Sequence, residues 1–211
     1  MGRLMSRQAP AFLIADSPGL DFLNSVATPV DVPIDWIEDG EGLLAWLEQS
    51  RLVPVEELRA MRAGAMPGEL DRLAAQARSL REWFRAFVRK HKGRPLKAAD
   101  LSELEPLNLL LARDERFGKI VARQRAGAPA FSFEQSRRWT SPESLLLPIG
   151  EILAKLVCEE NFSCIKACEG PTCTLMFADH TRGRARRWCS MSACGNRAKQ
   201  AAHRSRAKRE I

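Results

Sequence analysis

The 211-residue chain reads as an α+β protein: a mainly helical N-terminal domain with a few strands, then a small metal-built module. Apolar residues recur at three- and four-residue steps through several segments, the period of a helix with one buried face. Two alternating runs flank Ala126-Gly127-Ala128-Pro129, the pattern of a hairpin. Near the C-terminus, Cys168, Cys173, Cys189 and Cys194 stand in two equal pairs, with four residues between the members of each.

Ala11 to Ile14 predicts a short strand. The turn-forming Asp16-Ser17-Pro18-Gly19 stretch then caps a helix through Leu20-Asp21-Phe22-Leu23-Asn24. Gly42 to Leu47 reads as a short helix ending near Ser50, and Pro54 opens another with proline in the first turn. From Glu69 to His91 the spacing of Leu70, Leu73, Ala77, Leu80, Phe84 and Phe87 predicts a long helix. Ala98 to Ala112 gives a further helical pattern interrupted by Pro106. Lys119 to Arg125 and Ala130 to Arg138 supply the two hairpin strands. Ser141-Pro142-Glu143 is a helix start, with a cap, a proline and an acid at the positive end of the dipole. Leu145, Ile149, Ile152, Leu153 and Leu156 continue its apolar face, while Pro148 is expected to delay or kink it. The boundary is placed near Asn161 to Lys166, dividing the chain into residues 1–163 and 164–211.

No apolar run approaches the roughly 20 residues that span a bilayer. The basic start lacks the apolar stretch of a secretory signal, so a cytoplasmic location and no membrane partner are expected. In a reducing cytosol, paired cysteines bind metal or do redox chemistry more often than they form disulfides.

Zinc favours four tetrahedral ligands, and structural sites commonly use four thiolates. Cys168, Cys173, Cys189 and Cys194 are therefore read as the ligands of one structural Zn2+. The segment closed between the pairs, about 15 residues, is too small to fold without its metal. Loss of a ligand is expected to unfold this module and leave the first domain folded. Thr174 to Phe177 reads as a strand, His180 to Ala185 as a turn around Gly183, and Arg186-Arg187-Trp188 as the returning strand. A helix follows from Ser190 towards Glu210. Cys194 falls in its first turn, where free backbone N–H groups stabilise a thiolate. Knuckle, hairpin and ligand-bearing helix make the arrangement called a treble clef. Cys158 is expected in the core; Cys164 and His180 could compete for metal but lie outside the symmetric pattern.

Trp188-Cys189-Ser190-Met191 followed by Cys194-Gly195-Asn196-Arg197, with Arg186-Arg187 upstream and the Cys168 pair at this spacing, resembles the CGNR zinc-finger family. Leu20-Asp21-Phe22-Leu23-Asn24-Ser25 resembles the stretch that opens that family's N-terminal ABATE domain, with Ser25 where threonine is usual. Leu80-Arg81-Glu82 resembles a further family element. The resemblance implies an α+β sensor-like domain with an unknown small ligand, a treble-clef finger, and a role as a bacterial stress-associated transcription regulator.

Charge is distributed unevenly. From Lys166 to Ile211 there are 11 Lys and Arg against 3 Asp and Glu, whereas the other 165 residues hold 22 against 23. A basic block on a metal module points to nucleic acid. Arg182, Arg184, Arg186 and Arg187 form one basic strip. Arg197, Arg204 and Lys208 fall on one side of the last helix, with Lys199 and Arg206 on the other. These nine are the candidate phosphate contacts, with one helix face in the major groove. Some arginines instead offset the formal −2 charge of a four-thiolate zinc centre, and Arg197 fits either role equally. Trp188 is assigned to the finger's core before base stacking. The module lacks the aromatic pairs of a single-strand RNA platform, and the resemblance favours DNA. The alternative is a zinc module for RNA or protein contact on a structural first domain.

No Gly-rich phosphate loop, nucleophile elbow or paired-histidine motif marks an enzyme. Asp21 and Asn24, three apart, have two readings: they face a ligand pocket together with Arg81, or they cap a helix and bridge elements.

Overall fold

The computed structural model describes residues 10–28, 32–125 and 128–207. Its helices are α1 (Pro18–Leu23), α2 (Gly40–Gln49), α3 (Val55–Gly64), α4 (Glu69–His91), α5 (Glu105–Leu111), α6 (Leu146–Glu159) and α7 (Asn196–Ala207). Three antiparallel two-stranded sheets pair β1 (Val26–Ala27) with β2 (Ile34–Asp35), β3 (Arg116–Arg125) with β4 (Ala128–Arg137), and β5 (Ile165–Ala167) with β6 (Met176–Ala178). The architecture is α+β, mainly helical, as the periodicity predicts.

Local chemistry sets the helix limits. Asp39 caps α2 by accepting the Gly42 N–H at 2.8 Å. Gly40 lets α2 lie directly on α4: a Cβ there would come within 2.5 Å of Leu70 Cβ. Pro106 does not break α5 but sits in its first turn, after a 3-10 stretch from Ala98 to Leu104. Pro148 acts as expected. The chain is 3-10 from Pro142 to Leu145, and α6 starts at Leu146, so the missing proline N–H falls in a turn that needs no partner.

Helix α4 runs between the predicted limits and buries Leu73, Ala77, Phe84 and Phe87, yet it also buries Arg81, Arg85 and His91. Arg81 forms a two-pronged bond to Asp35 at 2.8 and 2.7 Å and reaches Ser25 Oγ at 3.0 Å, fixing β2 against α4. Burial pushes the Asp35 carboxyl up, but Arg81 outweighs it and holds the group below its ordinary value. Cys158 is exposed on α6, against the expectation of a core residue, because it falls outside the buried stripe of Ile149, Ile152, Leu153 and Leu156.

The finger is not a separate bead. Leu175, Met176, Phe177 and Ala178 belong to the same buried cluster as Leu20, Phe22 and Leu23 of α1. The free edge of β6 is covered from the start of the chain. Ala178 N donates to Ala15 O at 3.2 Å, and the Asn24 side chain donates to Met176 O at 2.8 Å while accepting the Met176 N–H at 3.0 Å. A carboxamide presents an N–H and a C=O side by side, as a peptide group does, so Asn24 stands in for a third strand. The segment from Ala11 to Ile14 forms no strand of its own.

Candidate metal centre and nucleic-acid interface

Strand β5 ends just before Cys168, and a tight turn through Gly170 returns the chain to Cys173. A Cβ at Gly170 would lie 3.0 Å from Cys173 Cβ and 3.1 Å from Cys194 Sγ, so the knuckle is closed around glycine. Cys189 follows the basic loop, and Cys194 lies in a π-helical turn, Met191–Gly195, that leads into α7. The four sulfurs lie within 4.8 Å of one another. Cys173 and Cys189 are 3.9 Å apart, and Cys189 and Cys194 3.6 Å. Zinc–sulfur bonds of about 2.3 Å give a tetrahedron with edges of about 3.8 Å. The pocket fits that ion.

Its donors and electrostatics agree. The backbone N–H groups of Gly170 and Cys189 point at Cys168 Sγ from 3.5 and 3.3 Å, and Arg197 Nη2 approaches Cys194 Sγ at 3.2 Å. Hydrogen bonding from Cys189 pulls Cys173 down to about 5, while the same contact and burial push Cys189 up. Burial also raises Cys168. Thiols this close cannot all ionise unless a cation sits between them. The two expected competitors are elsewhere: Cys164 is buried outside the cluster, and His180 Nε2 pairs with Glu160 at 3.1 Å.

The zf-CGNR model, a CGNR zinc finger, matches residues 165–207, and the ABATE model, "Putative stress-induced transcription regulator", matches residues 16–160. The chain belongs to the ABATE family. No curated protein matches it. As a CGNR finger carrying four clustered cysteines, this ABATE protein holds one structural zinc.

The returning strand expected over Arg186 to Trp188 does not form; β6 pairs with β5 instead, and residues 179–188 make an irregular loop. What orders this loop is Asp179, a residue absent from the sequence-based candidates. It is fully buried and accepts from Lys166 Nζ at 2.7 Å, Thr181 Oγ1 at 2.6 Å, Thr181 N at 3.1 Å and Arg186 N at 3.0 Å. Burial raises its carboxyl, but Lys166 and Thr181 prevail and hold it well below the usual range. The Asp-x-Thr spacing, which favours a turn closed by an Asp side chain, was the available signal.

Loop order separates the arginines. Arg186, a phosphate contact on the sequence pattern, is committed to the finger instead. Its guanidinium lies 4.3 Å over the Phe177 ring, donates to Asp16 at 2.6 Å, and bonds the Trp188 and Cys189 carbonyl oxygens. Arg197 donates to Cys194 Sγ. Trp188 packs against the core, as expected, with Arg187 stacked 5.1 Å from its ring. Arg182, Arg184, Arg187 and Lys199 are exposed, although Arg187 also pairs with Glu169 at 2.6 Å. Arg204 and Arg206 fall where α7 is described by its backbone alone, and Lys208 lies outside the described residues.

Asp21, Asn24 and Arg81 follow the second of their two readings and bridge elements. Arg81 ties α4 to β2, Asn24 splints β6, and Asp21 Oδ1 accepts the Ile14 and Ala15 N–H groups, each at 2.9 Å. Burial lifts the Asp21 carboxyl to about 6 despite these two bonds, which act to lower it. A folded-state value above the ordinary 3.8 means that ionising Asp21 opposes folding. Its stability contribution is complete below about pH 4 and is lost as pH rises through about 6. Asp21→Asn keeps an acceptor for both N–H groups without the charge. In urea unfolding it should gain about 1 kcal/mol on wild type between pH 5 and 7, then run parallel. A gain that shrinks as pH rises would show that burial is not what lifts this carboxyl.

Proposed function

We propose that this protein is a transcription regulator that binds duplex DNA through the exposed basic surface of its zinc finger, and that it acts by binding, not by catalysis. The observation carrying this reading is the division of cations within the finger. Lys166, Arg186 and Arg197 are spent on Asp179, the loop carbonyls and a zinc sulfur, whereas Arg182, Arg184 and Lys199 point into water beside them. Cations left exposed on a rigid frame suit phosphate contact. The family description favours DNA over the alternative of an RNA or protein module.

The helical body supplies the input in this reading. A cleft of about 390 Å³ lies where body and finger meet, lined by Ser17, Pro18, Ile152, Leu156, Glu160 and His180. A small molecule held there would touch both α6 and the finger loop. Such a ligand changes DNA affinity only through unequal binding to two states, with a coupling of about 1–3 kcal/mol being typical.

The test is fluorescence anisotropy on labelled duplexes over a salt series. With about five phosphates contacted, log affinity should fall against log salt with a slope of roughly −4 to −5. Replacing Arg182 and Arg184 by alanine should weaken all sequences alike and flatten the slope by about 2. Metabolites that shift the melting temperature are then added to the same titration. Binding that ignores both salt and these arginines, or a stronger response to RNA of the same length, would sink the reading.

A further inference from the structure

The β3–β4 hairpin is anchored at one end and bare along one face. At its base, Arg137 bonds Asp114 at 2.6 Å and Glu151 at 3.0 Å, and Arg116 bonds the same two acids at 2.8 and 2.6 Å. The in-register pairs Ile120↔Phe133 and Ala122↔Phe131 place these four side chains on one face of the ribbon. Ile120 is 76% exposed, Phe131 80% and Phe133 71%. The opposite face carries Lys119, Arg123 and Glu134, and its one large aromatic, Phe117, is covered by Arg138 at 5.1 Å. Charged side chains thus line one side and an apolar stripe the other, which is the pattern of a sheet with one face packed. Two-stranded ribbons are marginal alone in water, and contiguous exposed apolar patches mark interaction sites.

We propose that this stripe is a dimer interface, in which the hairpins of two copies of the chain pack apolar face to apolar face about a two-fold axis. Charge and area favour a second copy over other occupants. A two-fold contact needs a patch complementary to itself, and an apolar stripe of Ile120, Ala122, Phe131 and Phe133 flanked by the uncharged Gln124 and Gln135 satisfies that condition. Among the described residues the charges on this face, Arg116 and Arg137, are already neutralised by Asp114 and Glu151, so two copies meet without repulsion. Nucleic acid or an acidic peptide would be drawn to the other face, where Lys119 lies beside the Arg123–Glu134 pair. Two mostly exposed phenylalanines and an isoleucine present on the order of 400 Å² of apolar surface. Doubled, and extended along strands of roughly 33 Å, this reaches the approximately 1,000 Å² that a specific interface requires. The side chains that would be buried are in water in the monomer, so exchanging them does not disturb its core.

Sedimentation velocity on the full zinc-loaded chain, from about 1 to 100 μM, tests the proposal, because dimerisation follows mass action. Wild type is expected at twice the chain mass at the upper end. Ile120→Glu combined with Phe131→Glu should raise the dimer Kd by more than about 100-fold while leaving zinc content unchanged, and its melting curve should match wild type at concentrations low enough for both to be monomers. Ser132→Glu, on the charged face, should remain dimeric. The proposal is overturned by wild type at the mass of one chain throughout, or by a dimer that the double variant leaves intact. A monomeric wild type whose DNA affinity drops in the double variant overturns it too, and assigns the stripe to nucleic acid.

Discussion

Removing the zinc, by chelation or by Cys194→Ser, is expected to lower the melting temperature of the whole chain, not of the finger alone. Structural zinc contributes about 10–16 kcal/mol in small fingers, comparable with the entire stability of an ordinary domain, so the finger cannot outlast its ion. The consequence for the body follows from shared packing. Leu175, Met176, Phe177 and Ala178 are buried among the residues of α1. Releasing them exposes three large side chains worth about 1.5–3 kcal/mol each. A loss on the order of 5 kcal/mol lowers the midpoint of a chain this size by about 10–20 °C. Calorimetry with and without chelator, supported by metal analysis showing one zinc per folded chain, gives the measurement. An unchanged body transition after zinc loss would show that the two parts are independent, as the sequence alone suggested.

Asn24→Ala should be strongly destabilising although it touches no metal ligand and empties no large core site. Both Asn24 and Met176 are almost fully buried, and the substitution strips partners from the Met176 N–H and C=O together. Each orphaned buried group costs about 1–3 kcal/mol, so about 2–5 kcal/mol is expected in urea unfolding, with zinc stoichiometry kept at one. Asn24→Asp separates this account from simple loss of volume. At neutral pH a carboxylate can accept from Met176 N but faces Met176 O with no proton, so the variant should be nearly as unstable as alanine. Protonation restores the donor, and the deficit relative to wild type should narrow as pH falls towards 5. An Asn24→Asp protein as stable as wild type at pH 8 would refute the splint.

Much of the fold could be read from residue order, for a physical reason. The limits of α4 and the site of the hairpin depend on neighbours three or four residues apart, and periodicity acts over that range. Ser141-Pro142, by contrast, opens a 3-10 turn with no side-chain cap bond, and α6 begins only at Leu146. The zinc ligands were legible because two tight turns with equal spacing carry the information locally. Cys158 was misplaced for the opposite reason: whether a residue at the edge of an apolar stripe is covered depends on what packs there.

Side-chain roles in the finger needed tertiary contacts. Arg182, Arg184, Arg186 and Arg187 look alike in a row, and only the Phe177 ring, Asp16 and the Cys189 carbonyl single out Arg186 as an internal strut. Asp179 gained its role from Lys166, 13 residues earlier.

Helix positions, the hairpin, the four thiolate ligands and the basic character of the C-terminal end were thus set by short-range order in the chain itself. The union of body and finger was decided at the tertiary level, through a carboxamide at position 24 and a strand edge at position 176, 152 residues apart. No local propensity specifies such a pair. It forms because the edge of β6 is buried on folding, and a buried edge must find its donors and acceptors wherever the chain can bring them.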